Sequence, residues 1–302
     1  MSDPLPFPRT LLAPQHWPAW LGILVTAGVA RLPAIVARPC ARGFGALLGV
    51  LMRGRRKVAR RNLELCFPEL DAAAREIVVQ QSFRSLGEGA YEFARAWWGS
   101  VEHLRYTIDG LEHIERVRAE GRGVLLLSGH FLTLEICGRL LCKHIPLAGM
   151  YRRHGAPAFE WAVKRGRLRY AAAMFAREEL RAAVKHVKAG GLLWYAPDQD
   201  MRGKDTVFAP FFGVPASTIT ATFQLARLTG AAVIPFFHHR DGRGGYVLRI
   251  GAPLADRDGE DDTAHTARVN ALIEQMVREA PDEYLWIHKR FKSRPDGAPG
   301  LY

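Results

Sequence analysis

The chain has 302 residues, of which 48% are hydrophobic and 24% are charged, and its formal net charge is +12. A chain of this length and apolar content buries a sizeable core, which excludes an intrinsically disordered protein. The positive excess indicates an anionic partner, such as nucleic acid, an acidic membrane surface or a phosphorylated substrate, and a solubilising surface is the alternative.

An uncharged segment near the N-terminus, residues 17–30, is followed by Arg31 and by further apolar sequence up to Ala37. The segment is shorter than the roughly 20 residues that cross a bilayer. A membrane-spanning helix, an interfacial helix and a buried core helix all fit this pattern. The basic run RGRRKVARR follows at residues 53–61. Because positive charge stays on the cytoplasmic side, the pattern places the remainder of the chain in the cytoplasm.

The sequence therefore predicts two parts. Residues 1–55 form a hydrophobic anchor with a basic juxtamembrane segment, and residues 56–302 form one catalytic domain. No repeat or low-complexity tract divides the second part further.

The second part alternates between helical and strand patterns. Short apolar runs bounded by turn residues predict strands, and amphipathic stretches predict helices. The predicted strands are 123–128, 147–151, 192–196, 231–237 and 246–251. The predicted helices are 62–98, 131–144, 157–169, 178–189, 217–229 and 263–280. This alternation predicts an α/β fold with a central, mostly parallel sheet flanked by helices.

The four cysteines have no spacing typical of metal or redox sites. They are Cys40, Cys66, Cys137 and Cys142, and no two form a CxxC pair. A disulfide framework or a zinc site is therefore not predicted, and reduced thiols in a cytoplasmic compartment are expected.

Two ionisable residues, His130 and Glu135, lie in the apolar stretch LLLSGHFLTLEICG. In a continuous helix they would diverge by about 140°, so we place His130 in the connection after the strand and Glu135 in the helix that follows. The helix N-terminus favours a neutral imidazole, and a carboxylate on its other nitrogen would fix the tautomer. The pattern predicts a general base, His130, oriented by Glu135, which acts on a substrate hydroxyl. A buried pair that only stabilises the fold is the alternative.

The motif H-x4-[DE] after a buried strand resembles the signature of glycerolipid-type acyltransferases. The chain as a whole resembles the Kdo-dependent lipid A lauroyl and myristoyl acyltransferases of Gram-negative bacteria. The matching stretches are NLELCFPEL (62–70), GHFLTLE (129–135), YR (151–152), GRLR (166–169), WYAPDQD (194–200), VFAPFFGV (207–214) and YLWIHKRFKSRP (284–295).

The resemblance implies a glycerolipid-acyltransferase-like fold at the bacterial inner membrane, with the catalytic domain on the cytoplasmic face. It implies transfer of a fatty acyl chain from acyl carrier protein to a hydroxyl on a 3-hydroxyacyl chain of a lipid A precursor. It also implies no cofactor and no metal. The partners are then acyl carrier protein, the lipid A precursor and inner-membrane lipids, with no nucleic acid.

Further residues are candidates for substrate contacts. Arg152 is a candidate oxyanion donor or phosphate clamp. Tyr195 and Asp198 lie at the end of a predicted strand and are also candidates. Asp198 is expected at the same edge of the sheet as His130. There it polarises the site, orients an arginine or only forms a turn. A basic cluster that suits an acidic acceptor or acyl carrier protein comprises His288, Lys289, Arg290, Lys292 and Arg294.

An acyl groove is expected beside the histidine. Its candidate residues are Phe131, Leu132, Leu134 and Phe211, although core packing is an ordinary role for each. Two other functions fit less well: an acyltransferase of this fold with another phospholipid or glycolipid acceptor, and a basic protein that binds nucleic acid or membrane surfaces without catalysis.

Overall fold

The computed structural model describes residues 5–255, 257 and 259–302. Its helices are α1 (Trp17–Val29), α2 (Ala34–Leu51), α3 (Arg53–Cys66), α4 (Ala72–Trp98), α5 (Leu111–Ala119), α6 (Leu134–Leu141), α7 (Pro157–Arg167), α8 (Leu180–Lys188), α9 (Ala221–Thr229) and α10 (Asp262–Glu279). Its strands are β1 (Tyr106–Asp109), β2 (Val124–Leu127), β3 (Leu147–Tyr151), β4 (Ala173–Ala176), β5 (Leu192–Tyr195), β6 (Thr206–Phe211), β7 (Val214–Ile219), β8 (Ala232–Arg240) and β9 (Tyr246–Ile250).

In this part of the chain seven strands form one sheet in the order β1-β9-β8-β2-β5-β3-β4. The pair β8 and β9 is antiparallel, and the other neighbouring strands are parallel. The prediction of a central, mostly parallel sheet flanked by helices is therefore confirmed. Helices cover both faces because parallel strands need crossover connections.

The buried side chains of β2 show how the sheet is held between its helices. Leu125 and Leu127 join one apolar cluster, and Val124 and Leu126 join another on the opposite face. Each of the four is at most 1% exposed. Complete burial of a leucine or valine contributes about 1.5–3 kcal/mol relative to exposure. Because both faces are apolar, β2 belongs in the middle of the sheet.

Several elements differ from the predictions. The region predicted as a helix over 62–98 is divided between α3 and α4, and β1, β4 and α5 were not predicted. The region predicted as the start of a helix at 217 is instead strand β7, which forms a two-stranded hairpin with β6. The hairpin turns at Phe212 and Gly213, which both have positive φ, at 51° and 73°. Two successive positive φ values give the turn that matches strand twist.

The N-terminal apolar segment is divided into two helices. The 13 residues of α1 end before a turn at Arg31 and Leu32, because Pro33 disfavours helical backbone in the residue before it. Among the described residues, one helix is long and apolar enough to cross a membrane, namely α2, with 18 residues and a mean hydropathy of 1.4. It lies further along the chain than the uncharged segment that the sequence singled out.

Candidate active site

His130 and Asp198 follow neighbouring parallel strands at equivalent positions. Leu127 of β2 pairs with Tyr195 of β5. His130 comes three residues after Leu127, and Asp198 comes three residues after Tyr195. The carboxyl ends of parallel strands meet at one edge of a sheet, which is where α/β proteins bind their ligands. The strand register alone therefore brings the two side chains together.

The Asp198 carboxylate holds His130 through both of its oxygens. His130 Nδ1 lies 2.5 Å from Asp198 Oδ1, and the His130 backbone N–H donates to Oδ2 at 2.8 Å. Gly129 permits this approach, because an added Cβ would lie 3.3 Å from Oδ2 and 3.1 Å from Phe131 and Ile273. With Nδ1 occupied by the carboxylate, Nε2 of the neutral ring is the nitrogen that accepts a proton.

The charges of this pair stabilise each other. Burial acts to lower the pKa of His130, but the charge and hydrogen bond of Asp198 outweigh it and raise the pKa above 6.5. Burial acts to raise the pKa of Asp198, and His130 outweighs this and lowers it to about 2. The expected lowering of the His130 pKa by a helix N-terminus is not found, because α6 begins four residues after His130, at Leu134, and the Asp198 charge acts to raise that pKa.

A second segment fixes the loop that carries His130. The backbone N–H of Leu132 donates to the carbonyl of Glu283 at 2.8 Å, and that of Leu285 donates to the carbonyl of His130 at 3.1 Å. Between them, the hydroxyl of Tyr284 hydrogen-bonds to Asp198. The histidine and its carboxylate are therefore oriented from both sides.

Glu135 does not contact the His130 ring, and the expectation that it orients the imidazole is wrong. Its carboxylate accepts hydrogen bonds from Trp97 Nε1 at 2.8 Å, from Arg167 Nε at 3.1 Å and from the Tyr170 hydroxyl at 3.1 Å. Burial acts to raise the pKa of Glu135, but Arg167 outweighs it and lowers the pKa. The carboxylate joins α6 to α4 and α7.

Two cavities meet at His130. The apolar cavity, of about 340 Å³, runs between α6 and β3. The mixed cavity, of about 530 Å³, lies over the ends of β3 and β5. The residues that line both are His130, Met150, Tyr151, Arg152 and Trp194. The ring is thus accessible from two directions, with 29% of its side chain exposed.

The apolar cavity follows one stripe of α6. Leu134, Glu135 and Gly138 line it, as does Cys142 directly after the helix. At 1.5 Å per residue the stripe from Leu134 to Cys142 is about 12 Å long. The opposite wall is β3, whose residues all line the cavity. The apolar cavity therefore extends from His130 along α6, and we call this extension the slot.

Of the four residues expected in an acyl groove, only Leu134 lines the apolar cavity. Phe131 is 3% exposed and packs against Phe237 and Tyr284, with ring centroids 5.6 Å apart in both cases. Phe211 is fully buried against Phe212 and Phe291.

Leu132 packs against Gly89 of α4, whose added Cβ would lie 3.1 Å from the Leu132 Cβ. With Phe131 and Phe211, it belongs to the packing behind the loop. The expectation that Phe131, Leu132 and Phe211 line an acyl groove is therefore wrong. An apolar residue that adjoins a site residue in sequence often points into the core.

Three other predicted contact residues lie at the cavities. Arg152 is exposed and lines both, Tyr195 lines the mixed cavity, and His288 lines the mixed cavity and accepts a hydrogen bond from the Asp200 N–H at 3.1 Å. Burial raises the pKa of Tyr195 and lowers that of His288. Both are therefore uncharged at neutral pH.

The basic cluster near the C-terminus separates into two sets. Lys289 and Lys292 are exposed. Arg290 is 2% exposed and donates to the Ser217 carbonyl at 2.7 Å and to Thr218 Oγ1 at 2.6 Å. Arg294 donates to the carbonyl of Pro215 at 2.8 Å. Both arginines hold the hairpin. The expectation that Arg290 binds substrate is wrong because its side chain is buried, whereas the expectation for Arg294, which is half-buried, stays a prediction.

The exposed lysines border a third depression, the basic cleft, of about 840 Å³. Its cations are Arg53, Arg55, Lys289 and Lys292. Asp200 and His288 line both this cleft and the mixed cavity, so the two adjoin. The sequence did not predict Arg53 and Arg55 as site residues, because a run of arginines after an apolar segment indicates only the flank of a membrane segment.

Sequence reasoning also missed Arg167 and Tyr284, the partners of the two carboxylates. Both lie in stretches that resemble the acyltransferases, GRLR and YLWIHKRFKSRP, which was the available signal. Within the described part of the chain, no group of three or more His, Cys, Asp and Glu side chains is arranged to hold a metal ion.

This arrangement suits proton transfer. An imidazole with a raised pKa, an ionised carboxylate on Nδ1 and an open Nε2 can remove a proton from a hydroxyl and return it to a leaving group. No serine or cysteine of the described residues is hydrogen-bonded to His130. The described residues therefore place no serine or cysteine nucleophile beside the imidazole.

The chain is similar to known proteins over nearly its whole length. The family model for the bacterial lipid A biosynthesis acyltransferases matches residues 5–293. The chain is 40% identical to the lipid A biosynthesis lauroyltransferase of Escherichia coli strain K12, over 98% of each chain. It is 37% identical to that organism's lipid A biosynthesis palmitoleoyltransferase over 98% of each chain, and 29% identical to its lipid A biosynthesis myristoyltransferase over 96% of this chain and 92% of the other.

A solved structure, the 1-acyl-sn-glycerophosphate acyltransferase of Thermotoga maritima, aligns with 79% of this chain and 97% of its own at a TM-score of 0.39 and 15% identity. The family assignment does not depend on that alignment. It follows from the family model and from relatives matched over nearly their full length: the chain belongs to the bacterial lipid A biosynthesis acyltransferase family and is an acyltransferase of lipopolysaccharide biosynthesis.

Proposed function

We propose that this acyltransferase moves a lauroyl- or myristoyl-type chain from acyl carrier protein to the hydroxyl of a 3-hydroxyacyl chain on a Kdo-bearing lipid A precursor. One observation carries the proposal: the imidazole of His130, held by Asp198, lies where an apolar slot meets a second, more polar cavity. A fatty acyl thioester and a hydroxylated acceptor need two such cavities that meet at one base.

In the proposed reaction, Nε2 of His130 removes the proton from the acceptor hydroxyl. The oxygen attacks the thioester carbonyl, and the C–O bond forms as a tetrahedral oxyanion. Collapse breaks the C–S bond, and the imidazolium returns its proton to the departing thiolate. Asp198 stabilises the imidazolium throughout. Arg152, at the junction of the cavities, is the proposed donor to the oxyanion.

The apolar cavity is the proposed site of the acyl chain. Its walls are mostly apolar, and the Glu135 carboxylate in one wall is neutralised by Arg167. Gly138 lies in the middle of the stripe on α6, and an added Cβ there would have no heavy atom within 4 Å. A side chain at this position would therefore project into the slot.

We expect the substitution Gly138→Leu to shorten the acyl chains that the enzyme accepts. Each methylene excluded from the slot costs about 0.8 kcal/mol, or roughly a fourfold loss in kcat/KM. Assays with a series of acyl donors should show the preferred chain shortened by about two to four carbons. Gly28→Leu is the control, because Gly28 in α1 also has open space around an added Cβ. Normal activity with unchanged chain preference in Gly138→Leu would contradict the assignment of the slot.

The basic cleft is the proposed site for acidic groups. Arg53, Arg55, Lys289 and Lys292 form a cationic rim beside the mixed cavity. Phosphates and acidic sugars of the acceptor, or the acidic surface of acyl carrier protein, would be attracted there.

We further propose that residues 1–55 anchor the enzyme to the inner membrane and that residues 56–302 catalyse the reaction on its cytoplasmic face. The exposed apolar side chains of α1 and α2 and the basic residues of α3 support this assignment.

The test is a reconstituted assay with purified full-length protein. Acyl carrier protein and coenzyme A thioesters are compared as donors, and lipid A precursors with and without Kdo, together with a lysophospholipid, as acceptors. We expect the acyl carrier protein thioester and the Kdo-bearing precursor to give the highest kcat/KM. Faster acylation of the lysophospholipid would overturn the proposed acceptor.

A further inference from the structure

The large exposed apolar side chains of this protein are concentrated in one region. Among the described residues, those outside the first two helices and their flanks are Ile77, Leu180, Phe208, Leu228 and Tyr302. All the others lie between Phe7 and Leu51, and they include Trp17, Leu24, Ile35 and Leu47, which are 63%, 66%, 84% and 51% exposed. A contiguous apolar surface of this kind marks an interaction site.

The exposed residues of α2 include one charged side chain, Arg42, which pairs with Glu88 of α4. The other exposed residues are Ile35, Val36, Pro39, Cys40, Gly43, Phe44, Leu47, Val50 and Leu51. The buried residues of the helix are small, namely Ala37, Gly45 and Gly49. The outward face of α2 is therefore mainly apolar and open, and the side that carries the small residues is packed.

The small side lies against α4 at contact distance. A Cβ at Gly45 would collide with the carbonyl of Phe83, and a Cβ at Gly87 would collide with the carbonyl of Ala41. Gly49 lies against the Phe83 ring, with an added Cβ 3.1 Å from it. Because these contacts run along the helix, α2 cannot enter the bilayer core without α4.

Charged contacts tie the same side of α2 to the catalytic domain. Arg38 donates to the Gly244 carbonyl at 2.8 Å and to the Tyr246 hydroxyl at 3.0 Å, both next to or within β9. Arg42 pairs with Glu88 of α4 at 3.1 Å, and the Glu88 side chain is only 5% exposed. Withdrawal of α2 would leave Glu88 buried without these cations, which is costly.

Helix α1 is too short to cross the membrane, and α2, although long enough, is held on the catalytic domain by the contacts described above. At 1.5 Å per residue, α1 is about 20 Å long and α2 about 27 Å, against a hydrocarbon core of about 30 Å. The basic residues of α3 begin directly after α2, which suits contact with anionic headgroups.

We propose that α1 and α2 lie in the plane of the membrane, with their outward faces in the lipid monolayer and their inward faces on the catalytic domain. This inference rests on the membrane association proposed above and specifies its mode. Leu51, at the end of α2, also lines the basic cleft, which adjoins the mixed cavity and so leads to His130. A lipid acceptor thereby enters from the monolayer along α2 without leaving the membrane surface.

Topology is tested in the full-length enzyme with an N-terminal epitope and one accessible reporter thiol, from Leu32→Cys in a Cys40→Ser and Cys142→Ser background. The remaining thiols, of Cys66 and Cys137, are buried. Leu32 lies in the turn between the helices and is 47% exposed. In intact spheroplasts we expect the epitope to resist protease and the thiol to resist a membrane-impermeant maleimide. In inverted vesicles both should react. Cleavage or labelling in intact spheroplasts would show that one or both helices cross, and would overturn the proposal.

Vesicle flotation tests the surface itself. Leu47→Asp should reduce partitioning of the purified protein into vesicles of phosphatidylethanolamine and phosphatidylglycerol about tenfold or more. Leu228→Asp is the matched control, because Leu228 is 57% exposed on α9, and it should float like the wild type. Equal flotation of Leu47→Asp and the wild type, or no flotation of the wild type, contradicts the inference. Acyl transfer by the wild type is measured separately, in the reconstituted assay. Failure of the proposed reaction is therefore distinguished from failure of the proposed membrane contact.

Discussion

Replacing His130 with alanine is expected to lower kcat/KM for acyl transfer by about 10²–10⁴-fold, the usual contribution of a general base. The reason is that, of the described residues that line both cavities, only His130 carries a basic nitrogen that can be uncharged at neutral pH. The folded state should be retained, because the ring is partly exposed and its removal leaves Asp198 bonded to Tyr284 and to the backbone N–H of residue 130. Circular dichroism and the melting temperature check this. Near-normal transfer by a folded variant would remove His130 from the mechanism.

The Asp198→Asn variant separates the base from its positioning residue. In the wild type the Asp198 charge raises the pKa of His130 against the effect of burial. The base is active when unprotonated, so activity is lost as the pH falls through that raised pKa. Without the charge the pKa of His130 drops, and the acidic limb of the kcat/KM profile should move to lower pH. We expect kcat to fall at every pH, because the imidazolium loses its stabilising carboxylate.

Replacing Glu135 with alanine is expected to destabilise the fold by about 3–5 kcal/mol, because it leaves Arg167 buried without its partner. The side chains of Glu135 and Arg167 are 9% and 15% exposed. The pKa of Glu135 is lowered in the folded state, so the stabilisation is present at neutral pH and is lost as the pH falls through that lowered value. Denaturant titrations at neutral and acidic pH should show a difference between variant and wild type that shrinks in acid.

An exposed ion pair is the control for that measurement. Glu279 pairs with Arg249, and their side chains are 46% and 47% exposed. Glu279→Ala should cost about 1 kcal/mol or less. A loss in Glu135→Ala no greater than this would show that the buried pair does not hold α6 to α7.

A second variant of Glu135 tests whether Glu135 or Asp198 is the carboxylate that acts on His130. Glu135→Gln retains acceptors for Trp97 and Tyr170 and does not touch the imidazole. The acidic limb of the kcat/KM profile of Glu135→Gln should therefore coincide with that of the wild type, whereas the acidic limb of Asp198→Asn shifts to lower pH. A shift in Glu135→Gln as large as that in Asp198→Asn would mean that Glu135 reaches the ring during turnover.

Five strands of the sheet were predictable because their apolar runs are short and bounded by turn residues, whereas β1 and β4, of four residues each, were not predicted. The predicted strands at 147–151 and 192–196 agree with β3 and β5 to within a residue. The hairpin of β6 and β7 was not predictable in this way, because its turn depends on a positive φ at Phe212, a residue that rarely adopts one. Helix α6 begins later than predicted because hydrogen bonds from the 283–285 segment hold residues 130–132 in a loop.

By itself, the sequence determined the fold class, the family and the position of His130 after a buried strand, since these depend on local periodicity and on motifs of adjacent residues. Only the tertiary structure decided which carboxylate serves that histidine. Glu135 is five residues away along the chain but faces Arg167, whereas Asp198 is 68 residues away and meets the ring through the parallel register of β2 and β5. Strand pairing brings His130 and Asp198 together. The spacing of residues within each motif does not predict which strands pair.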